Sequence, residues 1–155
     1  MESCAFSVQV QTGRFDAGSE MAALASRPDV GAQVCFIGQV RDFGDQSGVI
    51  ALELEHYPGM TEKSLHAIIA EAGQRWPLAA VTVIHRTGRM MLGDNIVLVA
   101  VASAHRAAAF AACEFIMDWL KTGAPFWKRE IRADGQAHWV DAKASDDAAT
   151  ARWLA

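Results

Sequence analysis

Short runs of apolar residues, broken by glycine, proline and aspartate, divide this chain into strand-length and helix-length units. A strand is predicted around Ala5 to Val10, followed by a helix over Ala17 to Ser26 that must stop before Pro28, because the residue ahead of a proline is pushed out of the helical region. Ala32 to Val40 and Val49 to His56 read as two strands joined by a long hairpin-like turn through Gly44 to Gly48. Thr61 is placed to cap a helix in which Leu65, Ile68, Ile69, Ala72 and Trp76 recur at helical spacing until Pro77 closes it. Two β-rich runs follow, Ala80 to Arg86 and Asn95 to Ser103, split by turn material from Gly88 to Asp94. A long helix from about His105 to Thr122 is stopped by Gly123 and Pro125. Short strands are predicted at Phe126 to Arg132 and His138 to Asp141, and Ser145 to Leu154 reads as a short helix or a frayed tail. Single helices alternate with pairs of strands, which argues for an α+β fold with an antiparallel or mixed sheet and helices packed on one side.

At 155 residues, 52% of them hydrophobic, the chain has the material for one packed core, so residues 1–155 are taken as a single domain with a tail from about 142. No run approaches the roughly 18 apolar residues that cross a bilayer, and the start Met1-Glu2-Ser3-Cys4 lacks the features of a secretory signal, so a cytoplasmic protein is expected. The formal charge of −4 argues against a nucleic-acid binder. Cys4, Cys35 and Cys113 are odd in number and far apart, which predicts neither a disulfide framework nor a zinc site. The five histidines show no metal-ligand spacing, and neither a metal nor a cofactor is called for.

Against this acidic background, His105 to Arg132 holds five basic and three acidic residues, a local charge of +2. Ser103-Ala104-His105-Arg106 stands where a strand ends and a helix begins, where free N–H groups, an imidazole and a guanidinium could bind an anion. The plainer reading makes Ser103 an N-cap and Arg106 a solvated first-turn residue. Lys121 and Lys128 flank a Gly/Pro break with Phe126 and Trp127 between them. If both ammonium groups face one pocket, each lowers the pKa of the other. Arg41, at the end of a strand and ahead of a glycine-containing loop, suits a phosphate or carboxylate clamp, or else pairs with a surface acid such as Asp42. Cys35 and Cys113 lie in apolar runs, where a small buried hydrophobe is the default.

Helix geometry adds a constraint. At about 100° per residue, Arg106, Glu114, Asp118 and Lys121 share an arc of about 120° on an otherwise apolar helix. Arg106 and Lys121 are nevertheless roughly 22 Å apart along it. One small ligand could meet both only in a composite pocket, with the helix start from one chain and the helix end from a two-fold partner.

Several ordered strings carry a family resemblance: Phe36-Ile37-Gly38-Gln39-Val40-Arg41-Asp42, Leu52 to Met60, His85-Arg86-Thr87-Gly88, Ser103 to Arg106, and Met117 to Glu130. Together they resemble the large, catalytic subunit of molybdopterin synthase over about residues 30 to 141. The resemblance implies an α/β hammerhead fold and a homodimer within a 2+2 heterotetramer. Each large subunit would hold a small ubiquitin-like sulfur-carrier subunit whose C-terminal Gly-Gly thiocarboxylate supplies sulfur to cyclic pyranopterin monophosphate, forming the dithiolene of molybdopterin. It also implies substrate-binding residues at Gln39, Val40, Arg41, His105, Arg106, Lys121, Lys128, Arg129 and Glu130, with a further basic position falling on Lys143. Lys121 would be the central catalytic group, assisted by Lys128. The partner brings the sulfur, so none of the cysteines is needed as a nucleophile. A second reading makes the chain a non-catalytic docking module for a β-grasp protein or a small anionic metabolite.

Overall fold

The computed structural model describes residues 5–41, 48–140 and 144–154. They form eight strands, β1 (Ala5–Gln11), β2 (Ala32–Gln39), β3 (Val49–His56), β4 (Ala80–Arg86), β5 (Gly88–Met91), β6 (Asn95–Ser103), β7 (Phe126–Arg132) and β8 (Ala137–Val140). The helices are α1 (Ala17–Ala25), α2 (Met60–Arg75), α3 (Arg106–Gly123) and α4 (Ala144–Ala151), the last running into a 3-10 turn at Arg152–Leu154. The strands make two four-stranded sheets, ordered β1-β4-β6-β2 and β5-β3-β7-β8. Only the β1–β4 pair is parallel.

β6 explains the layering. Its near-continuous apolar run is buried on both faces, as a central strand requires. Val97, Val99 and Val101 point to one side, against α2 and α3, while Leu98, Ala100 and Ala102 meet Leu24 of α1 on the other. The two long helices thus share one face, but the short α1 covers the opposite one, so the helices are not all packed on one side as the pattern predicts. Phe115 of α3, fully buried, anchors the main core with the rings of Trp76 and Trp153 edge-on at 5.4 and 5.5 Å. Burying a side chain of that size contributes about 1.5–3 kcal/mol.

Three further expectations are corrected. β2 and β3 are not a hairpin: β2 pairs with β6 in the first sheet and β3 with β5 and β7 in the second, so the chain changes sheets between them. The turn material after Gly88 contains a further strand, β5, which pairs with β3. Thr61 does not cap α2; the N-cap is Gly59, whose N–H donates to the Glu62 carboxylate at 2.7 Å. Thr61 is fully buried instead, its hydroxyl donating to Tyr57 O at 2.9 Å.

The tail is folded. Arg152 pairs with Glu114 and, at 3.0 Å, with Asp118; Trp153 Nε1 donates to Asp118 Oδ2 at 2.6 Å; and Thr150 Oγ1 donates to Asp118 O at 2.8 Å. The acidic part of the polar face of α3 is therefore occupied by the chain's own C-terminal segment. Among the described residues no helix is long and apolar enough to cross a membrane.

Candidate functional site

α3 and β7 meet at a tight break. Gly123 ends the helix, Ala124 is already extended, and the Phe126 N–H donates to Ala124 O at 2.8 Å, so the chain enters β7 within three residues. Lys121 stands on the last turn of α3, and Lys128 lies two residues beyond Phe126, on the same face of β7. Both line one cavity of about 290 Å³. Its walls include Gln39 from the end of β2, His85 from the end of β4, Phe126, and Asp146 of α4. Apolar residues of β3, Leu52 and Leu54, close its floor.

The remaining predicted residues fall into three groups. Val40 is buried in the small core around Leu52, Leu54 and Met90, its N–H donating to Asp94 O at 2.9 Å and its carbonyl accepting from Gly93 N–H at 2.7 Å, so it anchors the strand that carries Gln39 and Arg41. Gln39 is held by a hydrogen bond from Nε2 to Asn95 Oδ1 at 3.0 Å, and Arg41 is exposed. On β7, Glu130 shares the strand face of Lys128 and is buried opposite Leu52. Arg129 points the other way: it pairs with Glu53 across the β3–β7 ladder, and its guanidinium lies over the Trp139 ring at 5.2 Å. Lys143 lies outside the described residues.

His105 and Arg106 are exposed at the start of α3, His105 serving as N-cap residue. Ser103 is committed to the scaffold, donating to Pro77 O at 2.7 Å and accepting from His105 N–H at 3.2 Å. Gly31 supports the same turn, for a Cβ there would sit 2.3 Å from Ala104 O. A single chain therefore keeps His105 and Arg106 roughly a helix length, about 22 Å, from Lys121.

His85 is the cavity residue that pattern reading left without a role. It stands next to the end of a fully buried strand, where a titratable ring after Val81, Val83 and Ile84 was the available signal. The imidazole stacks on Phe126 with centroids 3.8 Å apart and an 18° interplanar angle. Burial, aided by the nearby Lys121 charge, pushes its pKa down to about 4. Its neighbour Arg86 is also buried, giving Nε and Nη2 to Thr12 O and Nη1 to Asn95 O. The thiols are poor nucleophiles: burial raises the pKa of Cys35 and pushes that of Cys113 up to about 12. Cys4 lies outside the described residues. Among the described residues no three His, Cys, Asp or Glu side chains gather to hold a metal ion.

The fold and the cavity define a class: a two-sheet α+β protein whose basic pocket lies between the C-terminal end of a long helix and a second-sheet strand. Residues 10–123 match the model of the MoaE protein family, and the chain belongs to that family. It is 60% identical over 147 residues to the molybdopterin synthase catalytic subunit of Ralstonia nicotianae, covering 94% of this chain and 83% of that one. Among solved structures, it is similar to the molybdopterin biosynthesis MoaE protein from Burkholderia ambifaria, with TM-score 0.81 and 54% identity over 96% of this chain and 98% of the other. It also resembles molybdopterin synthase from Staphylococcus aureus, with TM-score 0.80 and 30% identity over 86% and 96% of the two chains.

Proposed function

We propose that this chain is the catalytic subunit of a cytoplasmic molybdopterin synthase. It transfers sulfur from the thiocarboxylated C-terminus of a small ubiquitin-like carrier subunit to cyclic pyranopterin monophosphate. The observation that carries this reading is the convergence of Lys121 and Lys128 on one cavity, in a chain so similar to relatives named for that catalytic role. Two ammonium groups beside a largely apolar floor attract a carboxylate or thiocarboxylate more strongly than they would in water. Lys121, on the helix end, stabilises negative charge on the acyl oxygen and exchanges protons with the reacting groups, while Lys128 holds the tail.

Arg41, His105 and Arg106 bind the cyclic phosphate and orient the carbon that receives sulfur. Because α3 holds its two ends so far apart, the phosphate clamp and the lysines serve one substrate only when two large subunits share a pocket, which supports a homodimer within a 2+2 assembly. Gln39 and Glu130 are assigned to the substrate side of this pocket, and Lys143 is retained as a further basic contact. Arg129 acts from behind: its pairing with Glu53 fixes the register that aims Lys128 at the cavity.

The test is reconstitution. Purified chain, thiocarboxylated carrier and cyclic pyranopterin monophosphate should give dithiolene product, and carrier ending in an ordinary carboxylate should give none. Tight carrier binding without product from the thiocarboxylate would favour a docking module instead.

A further inference from the structure

His85 stands next to the end of β4 on the face that carries Val81 and Val83, beneath the end of α3, and so opens into the same cavity as Lys121 and Lys128. Two contacts hold its ring. Nδ1 lies 2.8 Å from the Arg86 carbonyl oxygen, which can only accept, so Nδ1 carries the hydrogen and Nε2 the lone pair. The stacking on Phe126 fixes the ring plane. With Nδ1 committed to that carbonyl, Nε2 is the basic nitrogen of the ring. The ionisable groups around it are Lys121 on α3, Lys128 on β7, His56 on β3 and Asp146 on α4. The adjacent Arg86 turns its guanidinium to Thr12 and Asn95.

We propose that His85 is the proton carrier of this cavity: Nε2 takes up a proton when an anionic ligand is seated at the two lysines, and returns it to the departing group. Burial first, and then the charge of Lys121, keeps the imidazole neutral at pH 7 in the unliganded cavity. An anion at the lysines reverses that local field and favours the imidazolium. The Nε2–H bond then forms with a proton drawn from solvent. When water adds to the acyl carbon of the carrier's tail and the acyl C–S bond breaks, the electron pair of that bond stays on sulfur, the Nε2 proton passes to it, the water's proton goes to solvent, and the imidazole returns to its neutral form. The inference rests on the cavity being the reaction site proposed above.

The experiment uses the full chain labelled with 15N-histidine, titrated by NMR between pH 4 and 9. The probes are a synthetic peptide ending in a Gly-Gly carboxylate and, separately, inorganic phosphate. Free protein should show the Nδ1–H tautomer with a midpoint near 4, and saturation with either probe should raise the midpoint to about 6. Calorimetry at pH 6 in buffers of different ionisation enthalpy should register proton uptake on binding that His85→Asn loses, although its amide can still donate to the Arg86 carbonyl. An Nε2–H tautomer, a midpoint that stays put at saturation, or no binding of either probe at millimolar concentration overturns the proposal. A raised midpoint in a chain that forms no dithiolene upholds the proton carrier and overturns the sulfur-transfer reading instead.

Discussion

Lys121 and Lys128 reach one cavity from two different elements, the last turn of α3 and the second sheet's strand β7, because the chain turns over within Gly123 to Pro125. The pair is therefore held by packing on both sides of the break. A cavity set this way is sensitive to what fixes the end of α3.

The folded tail is one such support. Trp153 stacks edge-on with Trp76 at 5.7 Å and with Phe115 at 5.5 Å, and donates to Asp118. Trp153→Ala should lower unfolding free energy by about 2–3 kcal/mol. Trp153→Phe, which keeps a ring but loses the indole N–H, should cost about 1 kcal/mol. Urea denaturation of the three proteins checks both, and an unchanged midpoint in Trp153→Ala would show that α4 does not brace α3.

His85 gives stability a pH dependence of known sign. Its pKa is about 4 in the folded chain against the ordinary 6.5, so below pH 6.5 the unfolded state binds the proton more readily and protonation favours unfolding. Above pH 6.5 both states hold the ring neutral. Stability attributable to this group should fall between pH 6.5 and 4, by at most about 3 kcal/mol for a difference of about 2.5 pH units. Subtracting the stability–pH curve of His85→Asn from that of the native chain isolates the effect. A difference that is flat over that window would mean the ring is not buried as a neutral group.

The length of α3 makes a prediction about assembly. Arg106→Ala and Lys121→Ala homodimers should each be inactive, while verified mixed dimers should recover part of the activity, because one of their two pockets has both an intact helix start and an intact helix end. Activity assays on differently tagged, co-purified mixed dimers decide it. No recovery would place the phosphate clamp and the lysines in separate sites.

Much of this arrangement is legible from local pattern. The bounds of β4 and β6 follow from their apolar runs, and those of β3 and β7 from the glycine, proline and aspartate turns that flank them. Sheet membership is not local. The runs that became β2 and β3 look like a hairpin, and only their long-range partners, β6 for one and β5 with β7 for the other, send them to different sheets. β5 hides in four residues that begin at Gly88, a glycine that makes the segment read as a turn and does take a positive φ. In the site, the Gly/Pro break makes the convergence of Lys121 and Lys128 readable. The orientation of Arg129 follows from strand alternation on β7, since Lys128 and Glu130 take the other face. His85 stays hidden because a histidine within a buried strand looks like core until Phe126 is brought against it from the second sheet.

The claim that these lysines carry the chemistry is tested most directly by single-turnover dithiolene formation from preformed complexes of thiocarboxylated carrier with native chain or with Lys121→Ala. The variant should form the complex with unchanged mass and stoichiometry and lose about 100-fold or more in rate, as removal of a charge-stabilising group in a dry site does. Dithiolene formation by Lys121→Ala at the native rate would contradict the account.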